Sequence, residues 1–416
     1  MSRDYPLVES HTVAVPTKAH RRMSQKSPRP LLIALGYVGF ISLGLPDAVI
    51  GVAWPTVRET FSQSQASLGM VLVASGLGYF ATSLFSGRMT NEFGIGLLLT
   101  SSTGLVAIAM FGFAFAPWWV LFVACAVIHG LGSGGIDAGL NGYAAHHLSA
   151  RHMNWLHACY CFGAMLGPLL MTAVLTSGRD YSAGYFVVGG LMFALSFVFL
   201  TTRSHWGQAS ANVPEVASSR ITAAEAFRDS TVLLQVAIFF VYTGLEISLS
   251  QWAFTVLTES RGVRAAPAGI AVGMYWASIG IGRLLFGLVA DRIGIDRLLR
   301  YCLVAAAAGA ALFALPLNIE AALAGLILAG IGLAPVFPCL MSRTPQRLGT
   351  GLSTHAVGFQ VGAAMIGAAA IPAMLGLIAE RNGLSAVPVG IVIVAVVLWL
   401  LHERLVRRPG LALDRA

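Results

Sequence analysis

Residues 86–94 read SGRMTNEFG and residues 286–294 read FGLVADRIG, so one loop pattern occurs twice, 200 positions apart. Each copy has a glycine on both sides of a polar residue, and the equivalent positions are Gly87 and Gly287, Asn91 and Asp291, and Gly94 and Gly294. The same offset relates the sequence AMLG at 164–167 to the sequence AMIG at 364–367. Two matches at one offset predict that the chain consists of two homologous halves.

The composition of the chain decides which solvent surrounds these halves. Of the 416 residues, 56% are hydrophobic and only 11% are charged, and the mean hydropathy is +0.76. A domain dissolved in water needs more polar surface than this composition provides. The chain is therefore predicted to lie in a lipid bilayer.

Twelve apolar segments have the length of about 20 residues that crosses a hydrocarbon core of roughly 30 Å. They run approximately over 31–55, 68–87, 96–117, 119–143, 155–177, 183–202, 231–256, 267–290, 298–316, 320–341, 352–378 and 384–402. The sequence thus predicts an all-α integral membrane protein with twelve transmembrane helices in two pseudo-symmetric six-helix bundles, as in transporters that are built from parallel repeats.

The polar segments between and beyond the spans define the predicted organisation. It consists of a basic disordered cytoplasmic tail at 1–30, a first bundle at 31–203, a cytoplasmic linker at 204–230, a second bundle at 231–403 and a cytoplasmic tail at 404–416. The amino-terminal tail has no apolar run of the kind found in a signal peptide. Lys and Arg favour cytoplasmic loops, and with both termini inside, the outer side keeps only Arg58, Arg179, Arg261, Arg264 and Arg381. This asymmetry predicts that both termini are cytoplasmic, in a cell (inner) membrane.

Three acids lie well inside the predicted spans, namely Asp47, Asp137 and Glu246. A charged side chain at the centre of a membrane helix costs about 2.5 to 3.5 kcal/mol on insertion scales, so such an acid commonly faces a cavity, carries a proton or has a partner. The three acids are therefore candidate functional residues. The alternative interpretation is that neighbouring helices satisfy them and that they serve packing alone.

Asp47 lies in the stretch GLPDAVIGVAW at 44–54. Pro46 removes a backbone N–H and disturbs the helix directly before the acid. Gly44 and Gly51 allow another helix or a ligand to approach closely. A carboxylate beside such an opened backbone can bind hydroxyl groups or a proton.

Asp137 lies in the glycine-rich stretch HGLGSGGIDAGLN at 129–141. Asn141 follows Asp137 by one helical turn, so both polar side chains are predicted on one face of the helix. The glycines are typical of a close-packing seam between helices, but such a seam does not explain the acid.

The repeated loop resembles the loop signature of the major facilitator superfamily, in which an acid and nearby arginines latch the cytoplasmic ends of helices. The resemblance implies a conformational latch formed by Gly87, Arg88, Asn91, Gly287, Asp291 and Arg292. Asp291 with Arg292 and Arg283 matches the expected pattern, whereas Asn91 replaces the acid in the first copy. The alternative interpretation of each loop is a plain helix end with solvated charges.

Three further stretches resemble the fucose-galactose-glucose:proton symporter (fucose permease-like) branch of that superfamily. They are GLPDAVIGVAWPTVRETF at 44–61, the region 130–172 and GIGLAPVFPCLMS at 330–342. In that branch an acid in the first span and another in the fourth take part in proton coupling. The resemblance therefore implies a role in proton coupling for Asp47 and Asp137. Asp137 is surrounded by glycine near the cytoplasmic half of its span, and we expect it to carry the proton. Asp47 lies beside Pro46, and we expect it to link protonation to the hydroxyl groups of the substrate.

Additional residues are predicted to contact the substrate because amides can read hydroxyl groups and aromatic faces can stack on sugar rings. Together with Asp47, the predicted substrate-binding residues are Asn141, His157, Glu246, Gln251, Trp252, Tyr275 and Gln360. His157 lies near Asn154 and Tyr160 at the start of the fifth span, and a histidine there is also typical of a solvated interface. The role of Glu246 is left open by the resemblance.

The sequence argues against several other classes of protein. It contains no metal-ligand cluster, no nucleophile arrangement and no phosphate-binding loop, so neither an enzyme nor a cofactor is expected. The five cysteines lie in apolar segments and are interpreted as packing residues.

The predicted function is secondary active transport of a small polar solute, most readily a sugar, by proton symport in a monomer, without a nucleic-acid partner. Three alternatives remain open. A proton-coupled exporter of a drug or metabolite has the same fold and chemistry, a facilitator needs no ion, and a membrane scaffold transports nothing.

Overall fold

The computed structural model describes residues 30–148, 150–206 and 222–408, and in these ranges the regular structure is entirely helical. Twelve of the helical segments are long and apolar enough to cross a membrane, which confirms the predicted number of spans. Most of the predicted amino-terminal tail, residues 207–221 of the predicted linker and residues 409–416 of the predicted carboxy-terminal tail lie outside the described residues.

The first half contains spans 1 to 6, separated by short turns. Span 1 comprises the helices Pro30–Asp47 and Val49–Thr60, and spans 2 to 6 are the helices Ser67–Phe93, Ile95–Phe115, Trp119–His147, Ala150–Thr176 and Tyr181–Thr202. A short 3₁₀ helix, Arg203–His205, follows span 6.

The second half contains spans 7 to 12 and begins after a short helix, Ala223–Arg228, which Thr222 and Glu225 stabilise as a capping box. Span 7 is Ser230–Thr255 with a π-helical turn Val256–Ser260, span 8 is Ala265–Ile293, and span 9 is Ile295–Ala314. Span 10 consists of Ile319–Leu333 and the first part of the helix Val336–Asn382. That helix bends at Gly349, where φ is 72°, and its remainder forms span 11 before span 12, Ala386–Val406.

The helices of the two halves pack in the same pattern. In the first half span 1 packs on span 5, span 2 on span 4, and span 3 on spans 4 and 6. In the second half span 7 packs on span 11, span 8 on span 10, and span 9 on spans 10 and 12. Between the halves, span 5 packs on span 8, span 2 on span 11, and span 1 on span 7. The contact pattern therefore has the pseudo-symmetry that the sequence repeat predicts.

The repeated glycines allow close helix packing at equivalent positions of the two halves. A side chain at Gly167 would overlap the backbone of span 1 at Leu45, and one at Gly367 would overlap the backbone of span 7 at Phe240. Because lipid tails are as apolar as the helices, there is no hydrophobic driving force for the helices to associate. Van der Waals contact between closely packed backbones therefore supplies much of the attraction. In the repeated loops Gly94 and Gly294 both end their helices with positive φ, 80° and 86°, a conformation that glycine adopts without strain.

The two halves are closed against each other at one end of the molecule, here termed the closed end. Arg58, in the last turn of span 1, forms an ion pair of 2.8 Å with Glu259 at the end of span 7. The amide of Gln65 donates to the same carboxylate at 2.7 Å. The hydroxyl of Ser64 donates to Glu380 of span 11 at 2.9 Å.

The halves separate toward the opposite end, here termed the latch end because it carries the repeated loops. Along the contact between spans 2 and 11, a Cβ atom built on Gly69 would lie 2.6 Å from Ala373, one on Gly76 would lie 3.5 Å from Ala369, and one on Gly362 would lie 4.0 Å from the ring of Phe80. At Gly87 such an atom would meet nothing within 4 Å. Spans 2 and 11 are therefore farther apart at the latch end than at the closed end, as expected for a conformation that is open at the latch end.

Candidate functional site

The site is built around the break in span 1. Its first helix ends at Asp47 directly after Pro46, and its second helix begins at Val49. Gly44 lies against the backbone of Tyr160 in span 5, and Gly51 lies against the backbone of Gln251 in span 7. The glycines on either side of the acid thus bring one helix of each half close to it, as their positions in the sequence predict.

Asp47 joins three helices through its polar atoms. The phenol of Tyr160 donates to Oδ2 at 3.2 Å, and Nε2 of His129 in span 4 lies 3.4 Å from Oδ1. The amide of Gln251, from the second half, donates to the backbone carbonyl of Asp47 at 3.1 Å. The Asp47 side chain is 29% exposed, so water reaches it in this conformation.

His129 connects Asp47 with two serines. Its Nδ1 lies 3.1 Å from Oγ of Ser75 in span 2, and its Nε2 lies 3.3 Å from Oγ of Ser133. His129, Ser133, Asp137 and Asn141 are spaced by four residues along span 4, which places successive members near one face of the helix.

Asp137 has two hydrogen-bond donors. The phenol of Tyr79 in span 2 donates to Oδ2 at 2.6 Å, and the amide of Asn141 donates to Oδ1 at 2.9 Å. Side chains at Gly130 and Gly134 would overlap the backbone of span 2 at Ser75 and Tyr79. The glycine-rich sequence of span 4 therefore forms the predicted packing seam, and this seam brings the donors of span 2 to the acid.

Glu246, the third acid, is paired with Arg283 of span 8. The two side chains lie 3.1 Å apart and are only 7% and 14% exposed. Arg283 also contacts Sγ of Cys161 in span 5 at 3.3 Å, and the phenol of Tyr275 donates to the backbone carbonyl of Glu246 at 2.9 Å. The sequence interpretation that grouped Arg283 with Asp291 in a latch is wrong, because the guanidinium is buried where the two halves meet and neutralises Glu246.

The other predicted substrate-binding residues occupy different environments. The indole of Trp252 is fully buried and donates to the carbonyl of Pro372 at 3.0 Å. Gln360 lies in a separate buried cluster with Thr344 and Gln235. His157 packs edge-on against the ring of Phe40, with ring centroids 5.5 Å apart. In this conformation the structure therefore brings Gln251 to Asp47 and Asn141 to Asp137, whereas Trp252 and Gln360 satisfy their polar groups within the protein.

At the latch end, the guanidinium of Arg88 pairs with Glu92 of its own helix at 2.7 Å, and both side chains are exposed. The side chain of Asp291 lies outside the described part of the structure, as does that of Asn154. Asp296, at the start of span 9, receives hydrogen bonds from Arg343 at 2.9 Å and from Arg347 at 2.5 Å. These two arginines hold the start of span 9 to the end of span 10.

Sequence reasoning missed His129, Ser75 and Tyr79. His129 carried a usable signal, because it lies two four-residue steps before Asp137 on the same helix. The residues of span 2 carried none, since only the tertiary contact with span 4 identifies them. Within the described ranges, no three His, Cys, Asp or Glu side chains are placed to hold a metal ion.

Comparison with known proteins identifies the family of this fold. The family model described as Major Facilitator Superfamily matches residues 36–372, which is most of the chain. The chain belongs to the Major Facilitator Superfamily. It is therefore a multi-pass membrane transporter and not an enzyme.

Relatives of this superfamily member include sugar transporters. The chain is 23% identical to Bypass of stop codon protein 6 of Saccharomyces cerevisiae, over 84% of the chain and 77% of that protein. It is 20% identical to the glucose/mannose transporter GlcP of Bacillus subtilis, over 74% of the chain and 78% of GlcP. Its match to the human sodium-dependent glucose transporter 1, at 23% identity, covers 58% of the chain and about half, 52%, of the human protein. These relatives confirm the predicted resemblance to the fucose permease-like branch at low identity.

Solved structures confirm the fold of this superfamily member. The nucleoside transporter NupG superposes with a TM-score of 0.73 at 15% identity, over 92% of this chain and 100% of NupG. A bacterial homolog of the human lysosomal transporter Spinster, in an inward-facing and occupied conformation, gives a TM-score of 0.72 at 14% identity, over 91% of this chain and 96% of that chain.

Proposed function

We propose that this transporter moves a sugar together with protons, by symport with alternating access. The observation that carries the proposal is the position of Asp47. Its carboxylate faces spans 4 and 5 of the first half, and its carbonyl is bound by span 7 of the second half. A ligand or proton bound there acts on the contact between the halves, which is what coupling requires.

The surroundings of Asp47 suit a polyhydroxylated solute. Asp47, Tyr160 and Gln251 offer acceptors and donors for hydroxyl groups. The ring of Trp276 in span 8 meets the ring of Tyr160 edge-on, with centroids 5.9 Å apart, so aromatic surface from both halves borders the same region. The names of the relatives, which include glucose and glucose/mannose transporters, support a sugar.

The proposed proton-coupling residues are Asp47 and Asp137. Asp47 has a titratable neighbour and access to water, so it can exchange a proton while it contacts the solute. Asp137 accepts two hydrogen bonds, which satisfy its ionised form in this conformation. We propose that Asp137 is protonated when the halves rearrange, and that Asp47 links protonation to solute binding.

We further propose the orientation and the conformational latch. With both termini in the cytoplasm of a cell with an inner membrane, the described conformation is open to the cytoplasm. The loops around Gly87, Asn91, Gly287 and Asp291 then form the latch, which stabilises a conformation other than the described one. The transporter is proposed to be a monomer. A topology reporter fused after Ala416 that signals from the outer side would refute this orientation.

Transport by the purified protein in proteoliposomes tests the proposal. We expect wild-type protein to accumulate radiolabelled D-glucose when the outside is acidic, with or without sodium ions. The variant Asp137→Asn should exchange D-glucose between two pools but lose accumulation, and Asp47→Asn should weaken binding as well.

Three results would contradict the proposal. Accumulation that depends on sodium and not on pH would show that the coupling ion is sodium and not the proton. Expulsion of solute by an inward proton gradient would indicate the exporter alternative. Accumulation that survives in the variant with both substitutions would remove the two acids from coupling.

A further inference from the structure

We infer that His129 exchanges a proton with Asp47 during transport, as a third member of the proton-coupling group in the first half. This inference rests on the proposed proton coupling. It assigns a role to a histidine that is buried at the centre of the bundle and whose contacts differ from those of either acid.

Both nitrogens of the His129 ring have polar partners that tolerate either protonation state. Nε2 lies 3.4 Å from Oδ1 of Asp47 and 3.3 Å from Oγ of Ser133, and Nδ1 lies 3.1 Å from Oγ of Ser75. A serine hydroxyl can donate or accept a hydrogen bond by rotating. The ring can therefore gain or lose a proton without leaving a buried polar atom without a partner.

The proton transfer balances as follows. In the protonated ring, Nδ1–H donates to Ser75, and Nε2–H donates to the carboxylate of Asp47 once the two side chains close their separation of 3.4 Å. The Nε2–H bond breaks, the proton binds Oδ1, and a neutral imidazole beside a carboxylic acid results. The new O–H then donates to Nε2, while Nδ1–H still donates to Ser75. In the conformation that is open at the closed end, a hydronium ion from the solution first protonates Nε2 of the ring and leaves a water molecule.

The position of His129 along the membrane fits this order of transfer. Span 4 begins at Trp119, whose ring packs against Phe61 at the closed end. Asp137 lies eight residues after His129, which corresponds to roughly 12 Å along a helix toward the latch end. His129 and Asp47 therefore lie on the closed-end side of Asp137, and a proton that enters from that side reaches them first.

Among the described groups that face His129, Asp47 carries the ionisable side chain, and the others are hydroxyl groups and an aromatic ring. Span 1 contributes Asp47, span 2 contributes Ser75, and its own helix contributes Ser133. From span 3 the ring of Phe113 lies 6.4 Å away, centroid to centroid. The His129 side chain is only 9% exposed, compared with 29% for Asp47, so the carboxylate has the greater access to water in this conformation.

The variant His129→Gln tests the inference, because glutamine keeps hydrogen bonds but does not titrate. In proteoliposomes we expect it to retain exchange of D-glucose between two pools, to lose pH-driven accumulation, and to lose the pH dependence of uptake. His205→Gln, at an exposed histidine after span 6, is the matched control and should behave as wild type. Loss of pH-driven accumulation in wild-type protein as well would refute the proposed function itself.

Infrared titration of the carboxyl C=O stretch supplies a readout that needs no solute, with Asp47→Asn identifying the band of Asp47. We expect His129→Gln to move the midpoint of this band by about one pH unit or more, the scale at which two groups count as coupled. Ser75→Ala removes the partner of Nδ1 and should move the same midpoint in a variant with the histidine intact, which decides the question if His129→Gln does not fold.

The inference is overturned if the midpoint is unchanged in the folded variants. It is also overturned if His129→Gln accumulates D-glucose with the wild-type pH profile. Loss of exchange together with accumulation in a folded variant would assign His129 to solute binding instead.

Discussion

At the scale of single residues, the two halves neutralise their buried acids in different ways. Asp47 faces a histidine, a side chain that can bind and release a proton, and it is partly open to water. Glu246 faces Arg283, whose charge is permanent, and both are almost completely buried. The first acid is therefore suited to exchange a proton, whereas the second is part of a fixed ion pair.

The ion pair between Glu246 and Arg283 gives a prediction for stability. Glu246→Gln leaves a buried guanidinium without its carboxylate, and removal of one partner from a buried pair costs about 3 to 5 kcal/mol. We expect a clearly lower melting temperature for the purified variant in detergent, and a partial recovery when Arg283→Gln is added. The control Arg300→Gln breaks a pair with Glu403 in which Arg300 is 45% exposed, and it should cost less than about 1 kcal/mol. A double variant no more stable than Glu246→Gln would show that the two charges do not depend on each other.

Sequence reasoning at this scale found the acids but not their partners. Asp47, Asp137 and Glu246 stand out because a charge inside an apolar run has few explanations. Arg283 was misassigned because it lies two helical turns before Asp291 in sequence. Those eight residues correspond to roughly 12 Å of helix, which is enough to move the guanidinium from the loop into the bundle. Its partner Glu246 lies 37 residues earlier, and only the tertiary packing of spans 7 and 8 brings the two side chains together.

At the scale of helices, glycine determines which helices meet at the site. The packing seam between spans 4 and 2 positions Tyr79 to donate to Asp137, and the glycines on either side of Asp47 allow spans 5 and 7 to pack closely against span 1. The spans themselves could be predicted from apolar length and the repeat, because both are local properties of the sequence. The break of span 1 was indicated by Pro46. The bend at Gly349, in contrast, was not predicted, because its positive φ depends on the path of spans 10 and 11.

Two glycines on span 4 allow a matched test of the seam. Gly130→Ala places a methyl group on the carbonyl oxygen of Ser75, whereas the same change at Gly142 meets nothing within 4 Å. We expect Gly130→Ala to lower the melting temperature and to slow transport, because span 2 must move away and take Tyr79 from Asp137. Gly142→Ala should be neutral or stabilising by up to about 1 kcal/mol, since alanine is the better helix former. Equal effects of the two substitutions would argue against the seam.

At the scale of the whole molecule, few polar contacts between described residues hold the two halves together at the closed end. Glu259 receives both Arg58 and Gln65 from the first half, and Glu380 receives Ser64. The Arg58 and Glu259 side chains are 28% and 24% exposed, so solvent screens the pair and limits its strength. A contact of this kind can be broken and remade in each transport cycle.

The variant Glu259→Gln should favour the conformation that is open at the closed end. If the pair contributes about 1 kcal/mol, the ratio of the two conformations should change about fivefold. Electron paramagnetic resonance distances between spin labels at positions 59 and 264, in a background without the native cysteines, measure this ratio. Glu320→Gln, an exposed acid on span 10, serves as the control. An unchanged distance distribution in Glu259→Gln would show that apolar packing alone closes this end.

The difference between the two buried acids has an electrical consequence. In the register of the repeat, Asp47 is one position beyond the equivalent of Glu246, so the two halves place an acid at nearly the same depth. In the described conformation the pair of Glu246 and Arg283 has no net charge, so we expect the varying charge to reside in the first half. Under the proposed symport, each proton that accompanies a neutral sugar should therefore appear as an inward current, to which the membrane voltage contributes about 2.3 kcal/mol per 100 mV.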